Sequence, residues 1–312
     1  MRAVFVDCTR ELQAVIERRR LVIPDNVDVK LGSPTAQELV ELCANADAIF
    51  VEHTVIPPVV FDACPSVRAV VFMGTGAGTY IDMTDARRRG IRVATAPGYG
   101  DRAVAEHAFA LMFAAARSIA RMDREIRTGA WLPRGGLQLG GRKVAVIGLG
   151  GIGTAFAHLA RSIGMNVCAW NRTPRAIDGF VEDIDEALAN ADVVSVHLAL
   201  NAETAGLIDR RRLKLPAPGY ILVNTARAEI VDQDAMLAFL GEGFIGHAGL
   251  DVFPQEPLPR ENAYRKLDNV TLTAHAAYMT DDAYEELWRR TLAAFDELRL
   301  SATASPVPSN LS

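Results

Sequence analysis

Three glycines form the first group of residues whose spacing suggests chemistry. Gly148, Gly150 and Gly153 make the pattern G-x-G-x-x-G directly after an apolar segment, and Gly151 and Ile152 begin the helical segment that follows. In such a turn the first glycine permits a tight bend, the second lets the backbone approach a pyrophosphate, and the third lets the helix pack closely on the strand. The pattern predicts a dinucleotide site at a helix N-terminus, and a glycine turn with packing duties only is the alternative.

The residues that select the dinucleotide are expected about 20 positions after the turn, at the end of the next strand. Asn171, Arg172 and Thr173 stand there, and the carboxylate that would bond the ribose hydroxyls is missing. An arginine beside a hydroxyl suits a 2′-phosphate, so we predict NADP as the preferred cofactor, with NAD as the second choice. Alternatively, Arg172 is a solvated loop residue that stacks on adenine.

Two further polar residues follow predicted strands. Arg227 lies just past the segment YILVN, and His275 lies just past VTLT. Ligands of open α/β sheets bind at the carboxyl ends of the strands. A guanidinium can hold a carboxylate and a carbonyl oxygen together, and an imidazole can deliver a proton to a forming alkoxide. With a hydride from nicotinamide, these groups meet the needs of 2-oxo acid reduction, whereas an interdomain ion pair and a capped core histidine are the structural alternatives.

The elements that must position these residues are short runs rich in Val, Ile and Phe, which alternate with segments of helical period. Before residue 100 the strand-like runs are 2–7, 47–51 and 68–72. A long apolar helix is predicted over about 102–127, with Asp101 as its cap and Gly129 as its stop. This alternation indicates a parallel sheet with crossover connections.

A second set of strands begins at Lys143. Six segments have the composition of strands, at 143–147, 166–170, 192–196, 220–224, 244–250 and 270–273. Six strands with intervening helices predict a doubly wound sheet of the dinucleotide-binding type. A polar-faced helix over about 284–300 is expected to cross back onto the first domain, and the tail 301–312 has the composition of a loose end.

Several motifs occur in a specific order along nearly the whole chain. They are VVFMGTGAGTYIDM (70–83), APG followed by AVAEHAFALMFAAAR (96–117), the glycine turn, HLALNAETAGLI (197–208), NTARAEIVDQDAM (224–236), GLDVFPQEPL (249–258) and HAAYMT (275–280). In this combination the chain resembles the D-isomer-specific 2-hydroxyacid dehydrogenase family.

The resemblance implies an α/β fold with two doubly wound parallel-sheet domains. A flavodoxin-like substrate domain would comprise 1–97 and 280–312, and a Rossmann dinucleotide-binding domain would be inserted at 98–279. The active site is then expected in the cleft between the domains, where closure excludes water.

The resemblance also assigns roles to individual residues. Arg227, Glu256 and His275 would be the catalytic residues, with Glu256 as the carboxylate that orients the imidazole of His275. Further contacts to the cofactor would come from Thr225, Ala226 and Asp251, and the carboxylate of the substrate would be bound by Arg227, His275 and the backbone of Thr75, Gly76 and Ala77. Glu256 as a solvated acid and 75–77 as an ordinary turn are the alternatives. The chain departs from the family where Ala228 replaces a frequent glycine after Arg227.

The implied activity is the interconversion of a small 2-oxo acid and its D-2-hydroxy acid by an NAD(P)-dependent dehydrogenase. Glyoxylate or hydroxypyruvate is favoured, because the residues expected around the substrate can donate hydrogen bonds. By resemblance these are His53, Thr54, Tyr99 and Tyr278. The competing hypotheses are a nucleotide-sensing corepressor without catalysis on the same fold, and a phosphoglycerate dehydrogenase-like enzyme.

Composition excludes several other classes. A net charge of −5 without an extended basic run argues against a nucleic-acid partner, and no apolar run approaches the length of a membrane span. The N-terminal segment does not read as a signal peptide, so a cytoplasmic location is expected. Four scattered cysteines predict neither a metal site nor a disulfide.

A homodimer is expected as well. A family-like dimer would use the apolar helix after Arg102 and the glycine-rich arm around 131–139. The apolar surface of that helix, which carries Ala108, Leu111, Met112 and Ala115, exceeds what one small domain needs to cover.

Overall fold

The chain passes between two structural units near residues 100 and 280. In the computed structural model the first unit comprises Met1–Gly100 and the chain from Thr280 onward, and the second comprises Asp101–Met279. The structure describes residues 1–303. The predicted loose end beyond residue 303 lies outside the described residues.

The first unit is built on a parallel sheet of five strands. They are β1 (Ala3–Cys8), β2 (Val27–Leu31), β3 (Ala48–Val51), β4 (Ala69–Phe72) and β5 (Arg92–Thr95). Their order β2-β1-β3-β4-β5 is that of flavodoxin-like sheets, which confirms the predicted fold of this unit. β2 and β5, which the sequence analysis did not identify, are the two edge strands.

Four helices of the first unit precede residue 100. They are α1 (Arg10–Arg19), α2 (Ala36–Cys43), α3 (Pro58–Ala63) and α4 (Met83–Arg88). Thr9, Thr35 and Asp82 cap three of them by accepting backbone N–H groups of the first turn, and Thr35 with Glu38 completes a capping box.

The second unit contains a parallel sheet of seven strands. They are β6 (Lys143–Ile147), β7 (Asn166–Trp170), β8 (Phe180–Val181), β9 (Val193–Val196), β10 (Tyr220–Asn224), β11 (Ile245–Leu250) and β12 (Val270–Leu272). The order β12-β11-β10-β9-β6-β7-β8 contains the Rossmann arrangement and confirms the predicted dinucleotide-binding fold. The additional strand, β8, has two residues and pairs only with β7.

Helices cover both faces of this second sheet. They are α5 (Asp101–Ala116), α6 (Ile119–Arg127), α7 (Gly151–Ser162), α8 (Ile184–Leu188) and α9 (Gln233–Gly241). Side chains alternate along β6, so that Ala145 and Ile147 join the core under α8 and α9, while Val144 and Val146 join the core under α5 and α7.

The prediction of one long helix over 102–127 is wrong. α5 and α6 are bent by 64° at a short break. Ser118 at the break has φ 50°, a left-handed conformation that no helix interior contains. In the part of the chain that the structure describes, no single helix is long and apolar enough to cross a membrane. Within residues 1–303, the bent pair of α5 with α6, counted together, is the only one that meets that length and composition.

The last helix, α10 (Asp281–Thr303), belongs to the first unit. It packs on α1, β4 and β5. Trp288 stacks near Phe5, and Phe295 meets Phe50 edge to face, so these rings fill the face of the sheet that α10 covers. The predicted return of the chain to its first domain is confirmed.

Candidate active site

The glycine turn connects β6 to α7, and its glycines differ in what they do. A Cβ on Gly148, which has φ 104°, would lie 2.7 Å from the carbonyl oxygen of His197. A Cβ on Gly153 would overlap the carbonyl oxygen of Gly148. Gly150, which precedes α7, has no atom within 4 Å of an added Cβ. The first and third glycines are therefore required by packing, whereas the second leaves open space beside the helix N-terminus.

The first turn of α7 presents its backbone to that space. The carboxylate of Asp101 lies beside Gly151, so a Cβ there would require the Asp101 side chain to move. Ile152 is half-buried against the core between α5 and α7. The N–H groups at the start of a helix have no acceptor within the helix and carry a partial positive charge. This end of α7 can therefore bind a pyrophosphate.

The end of β7 is tied to the glycine turn by Asn171. Its Oδ1 accepts the backbone N–H of Leu149 at 3.0 Å, and its Nδ2 donates to the carbonyl oxygen of Thr173 at 2.8 Å. Arg172 forms an ion pair with Glu203, and both side chains are about two-thirds exposed, at 67% and 66%. The pair with Glu203 was not anticipated from the sequence.

In the second unit, two buried polar atoms at the carboxyl ends of strands have no hydrogen-bond partner among the described residues. They are Nδ1 of His197, after β9, and Oγ1 of Thr225, after β10. His197 Nε2 lies 2.8 Å from Oγ of Ser195, and burial lowers the pKa of His197 to about 3, so the ring is neutral. Buried polar groups normally have partners. The unpartnered hydroxyl of Thr225, together with the open space at Gly150, therefore fits a dinucleotide bound along this edge.

Arg227 lies in the loop after β10, whose backbone is held by hydrogen bonds from Asn224. Oδ1 of Asn224 accepts the N–H of Ala226, and Nδ2 of Asn224 donates to the carbonyl oxygen of Arg227, both at 2.9 Å. The guanidinium is exposed, and its Nη1 donates to the carbonyl oxygen of Ala226 at 2.7 Å. Ala228 begins a short 3-10 turn and does not have a positive φ. The departure from the family's frequent glycine therefore causes no backbone strain here.

His275 and Glu256 form a hydrogen-bonded pair. Nδ1 of His275 lies 2.6 Å from Oε2 of Glu256, and Oε1 of Glu256 accepts the N–H of Phe253 at 2.9 Å. Because a carboxylate only accepts hydrogen bonds, Nδ1 carries a proton in this pair, and Nε2 is the nitrogen left for proton exchange with a ligand. Both side chains are more than one-third exposed, at 38% for His275 and 35% for Glu256, so solvent or substrate can reach them.

The backbone at His275 is held in an unusual conformation by Asp251. His275 has φ 53°, and its N–H donates to the carbonyl oxygen of Asp251 at 2.9 Å. The buried carboxylate of Asp251 accepts the N–H groups of Ala276 and Ala277, both at 3.0 Å. A left-handed residue other than glycine costs about 1–2 kcal/mol, which the surrounding bonds must offset. Asp251 therefore fixes the turn that carries the imidazole.

His107 on α5 completes this network. Its Nε2 lies 2.9 Å from Oγ1 of Thr273, which donates to Oδ1 of Asp251 at 2.6 Å. His107 Nε2 also lies 3.6 Å from the same carboxylate oxygen. No local motif marks this contact, because His107 and Thr273 are 166 positions apart.

In the first unit, Thr75, Gly76 and Ala77 form the loop after β4. Ala77 is buried and begins a 3-10 turn, and its carbonyl oxygen accepts the N–H groups of Tyr80 and Ile81. Gly76 has φ −106°, so its conformation does not require glycine. The role of these residues in binding a substrate carboxylate stays a prediction.

The loop after β3 carries His53 and Thr54. Oδ2 of Asp7, at the end of β1, accepts both of their N–H groups at 2.7 Å. The imidazole of His53 lies 3.4 Å from the buried carboxylate of Glu52, and a hydrogen bond to this carboxylate raises the pKa of His53. β1 and β3 are neighbours at the switch point of a flavodoxin-like sheet, where ligands bind.

The cysteines supply no reactive thiol at these positions. Cys8, Cys43 and Cys64 are buried, and Cys168 is half-buried. Burial raises the pKa of Cys8 and of Cys43 to about 12, which keeps these thiols protonated. Within residues 1–303, no group of three or more His, Cys, Asp or Glu side chains is arranged to hold a metal ion.

A Rossmann sheet whose glycine turn leaves room for a pyrophosphate defines the class of dinucleotide-binding proteins. The model of the family described as D-isomer specific 2-hydroxyacid dehydrogenase, NAD binding domain, matches residues 109–277. The chain is 37% identical to the glyoxylate reductase of Pyrococcus furiosus over 76% of this chain and 75% of that protein. It is 35% identical to the glyoxylate reductase of Korarchaeum cryptofilum over 94% of this chain and 92% of that protein.

Among solved structures, one similar protein is an acyclic imino acid reductase in complex with NADPH and D-Arg. It is 26% identical, with a TM-score of 0.82 over 96% of this chain and 98% of that chain. The chain belongs to the D-isomer-specific 2-hydroxyacid dehydrogenase family. It is therefore an NAD(P)-dependent oxidoreductase.

Proposed function

We propose that this enzyme reduces glyoxylate to glycolate, which is achiral, or hydroxypyruvate to its D-2-hydroxy acid, D-glycerate. The observation that carries the proposal is the pair of His275 and Glu256, with its 2.6 Å hydrogen bond, on the same sheet edge as Arg227. The relatives from Pyrococcus furiosus and Korarchaeum cryptofilum are named glyoxylate reductases, which supports the choice of substrate.

The three side chains have separate tasks in this proposal. Arg227 binds the carboxylate of the substrate and polarises the adjacent carbonyl through its planar fork of donors. His275 donates the proton on Nε2 to the carbonyl oxygen as that oxygen becomes an alkoxide. Glu256 keeps the imidazole oriented through Nδ1. A bound nicotinamide supplies the hydride, and the backbone of Thr75, Gly76 and Ala77 is proposed to bind the substrate carboxylate as well.

The cofactor is proposed to lie along the carboxyl edge of the second sheet. The backbone from Gly148 to Gly153 would hold the pyrophosphate, with Asn171, Arg172 and Thr173 at the adenosine end. Thr225, Ala226 and Asp251 would contact the nicotinamide. The carboxylate of Asp251 already accepts three bonds from its own chain, so its part is to shape this subsite as much as to touch the ring.

We expect polar 2-oxo acids to be the best substrates. The groups proposed around the substrate, His53 among them, can donate hydrogen bonds to a polar substrate, whereas an apolar side chain offers them no acceptor. Glyoxylate or hydroxypyruvate should therefore exceed phenylpyruvate in kcat/KM by about 3- to 10-fold, as one hydrogen bond contributes about 0.5–1.5 kcal/mol. Steady-state rates with these acids, with pyruvate and with phosphohydroxypyruvate test the proposal. The highest kcat/KM with phenylpyruvate would overturn the polar pocket, and the highest with phosphohydroxypyruvate would favour a phosphoglycerate dehydrogenase-like role.

NADPH is proposed as the preferred cofactor. The support is Arg172 with Thr173 in place of an acid at the end of β7, and the related imino acid reductase was solved with NADPH. The same steady-state series, repeated with NADH, tests this point. A higher kcat/KM for NADH with the best 2-oxo acid would overturn it.

A homodimer is proposed through α6 and the arm after it. The surface from which the dimer was predicted, Ala108, Leu111, Met112 and Ala115 of α5, is instead buried within its own unit. α6 has no buried residue, and Ile119 and Ile126 on it are exposed. Trp131 on the arm is 81% exposed, and Leu132 beside it is exposed as well. Apolar patches of this kind mark protein interfaces. Light scattering at micromolar concentration should give twice the mass of the chain, and Trp131→Glu should shift the protein toward monomer. A monomeric wild-type protein would contradict the proposal.

A further inference from the structure

The ion pair between Arg172 and Glu203 lies where the adenosine end of a dinucleotide is expected. Arg172 follows β7, and Glu203 lies in the loop after β9. In the sheet, β6 lies between β7 and β9. Strands two places apart are separated by about 9–10 Å, so the two long side chains meet across the end of β6, beside the glycine turn.

Both members of the pair stand on anchored backbone. On the Glu203 side, Oδ1 of Asn201 accepts the N–H groups of Glu203 and Thr204 at 2.9 and 3.1 Å. Oγ1 of Thr204 accepts the N–H of Asn201 at 2.8 Å and donates to the carbonyl oxygen of Ala199 at 2.7 Å. The carboxylate is therefore presented by an ordered turn and not by a loose loop.

On the Arg172 side, the neighbouring Asn171 anchors the backbone. Its side-chain bonds to Leu149 and Thr173 fix the end of β7 against the glycine turn. The backbone of both residues is thus anchored, whereas their exposed side chains can move apart. A ligand that enters between them meets one anion and one cation.

These two charges act differently on the two nicotinamide dinucleotides. The ribose hydroxyls of NADH donate hydrogen bonds that a carboxylate accepts, and the end of β7 lacks the acid that usually does so. The 2′-phosphate of NADPH is attracted by Arg172 and repelled by Glu203. We infer that Glu203 is a determinant of cofactor choice, which supplies the missing ribose acid from the neighbouring loop and competes with the 2′-phosphate for Arg172. The inference rests on the dinucleotide site of the proposed function.

The size of the effect follows from the exposure of the pair. Ion pairs between exposed side chains are weak and are screened by salt, so a phosphate can displace Glu203 from Arg172. Glu203 therefore reduces the preference for NADPH without abolishing it. Its removal should change the ratio of the two dissociation constants by about three- to tenfold, and less at high ionic strength.

The test is the variant Glu203→Gln, which keeps the size of the side chain and removes its charge. Dissociation constants for NADPH and NADH are measured by quenching of tryptophan fluorescence, without turnover. We expect NADPH to bind about three- to tenfold more tightly and NADH to bind no more tightly than before. Glu242→Gln is the matched control. Glu242 is an exposed acid at the C-terminus of α9, so this substitution removes the same charge at a position away from the dinucleotide site.

A second variant separates competition for Arg172 from direct repulsion. In the background Arg172→Ala, Glu203→Gln should improve NADPH binding less than in the wild-type background, since no cation is left to compete for. Equal gains in both backgrounds would overturn the competition. A ratio of dissociation constants that Glu203→Gln leaves within twofold of wild type would overturn the role of Glu203. A wild-type protein that binds neither dinucleotide would overturn the proposed function itself. A wild-type protein that binds them, with a ratio insensitive to Glu203→Gln, would overturn only the role of Glu203.

Discussion

His275→Ala should lower kcat with the best 2-oxo acid by a factor on the order of 10² to 10⁴, the range expected for loss of a general acid. The imidazole is held by Glu256 at 2.6 Å with Nε2 left for the substrate, so its removal takes away the proton donor. The imidazole forms none of the contacts at the glycine turn. The dissociation constants of NADPH and NADH, measured by fluorescence, should therefore change by less than about twofold.

The control for this variant is His158→Ala. His158 is an exposed histidine on α7, so its removal deletes an imidazole from the same domain without touching the pair. Its kcat should stay close to that of wild type. Near-normal turnover of His275→Ala with every accepted 2-oxo acid would mean that another group donates the proton. A large loss of cofactor affinity would mean that the turn held by Asp251 has collapsed.

The fold was predictable where strands are buried on both faces. β3, β4, β6 and β10 are runs of apolar residues because helices cover both sides of their sheets, and such runs stand out in the sequence. The edge strand β2, VDVKL, buries one residue of five. An edge strand satisfies only half of its backbone groups within the sheet and needs less apolar surface, so β2, β5 and β8 carry a weak signal.

The bend between α5 and α6 was not predictable for a related reason. Glycine and proline are the usual signals for a helix break, and the chain has neither between Arg102 and Thr128. The break at Ser118 is instead a consequence of packing, because α5 buries seven residues in the core while α6 buries none. Tertiary contacts of this kind override local propensity.

Some residues of the candidate site could also be predicted from local patterns, and others could not. Arg227 and His275 could be identified because each follows an apolar strand, and sheet topology places strand ends on one edge. Glu203 could not, since it matters only through a contact with a residue on another loop. The hydrogen bonds from Asp251 to the turn of His275 likewise form because β11 and β12 are paired in the sheet, which brings the residues after the two strands together. Contacts between distant segments follow from the completed fold and not from a local pattern.

Arg227→Gln should reduce kcat/KM for 2-oxo acids by a factor on the order of 10² to 10³, the loss seen when one donor to a developing oxyanion is removed. Asn224 holds the backbone on both sides of Arg227, so a substitution of this exposed side chain should leave the loop in place. The loss should appear in both kcat and KM, because the guanidinium is proposed to bind the carboxylate and to polarise the carbonyl. Steady-state kinetics measure the changes in kcat and KM, and a thermal unfolding scan checks that the variant stays folded.

Arg227→Lys separates charge from geometry. Lysine keeps the positive charge but is a point donor without the planar fork, so it should recover only part of the activity lost in Arg227→Gln. Arg210→Lys is the matched control, because the guanidinium of Arg210 lies over the ring of Phe239, 4.9 Å from its centroid, and not on the proposed substrate. Full activity in Arg227→Lys would show that charge alone suffices and would rule out two-point binding of the 2-oxo acid. Full activity in Arg227→Gln would remove Arg227 from the reaction altogether.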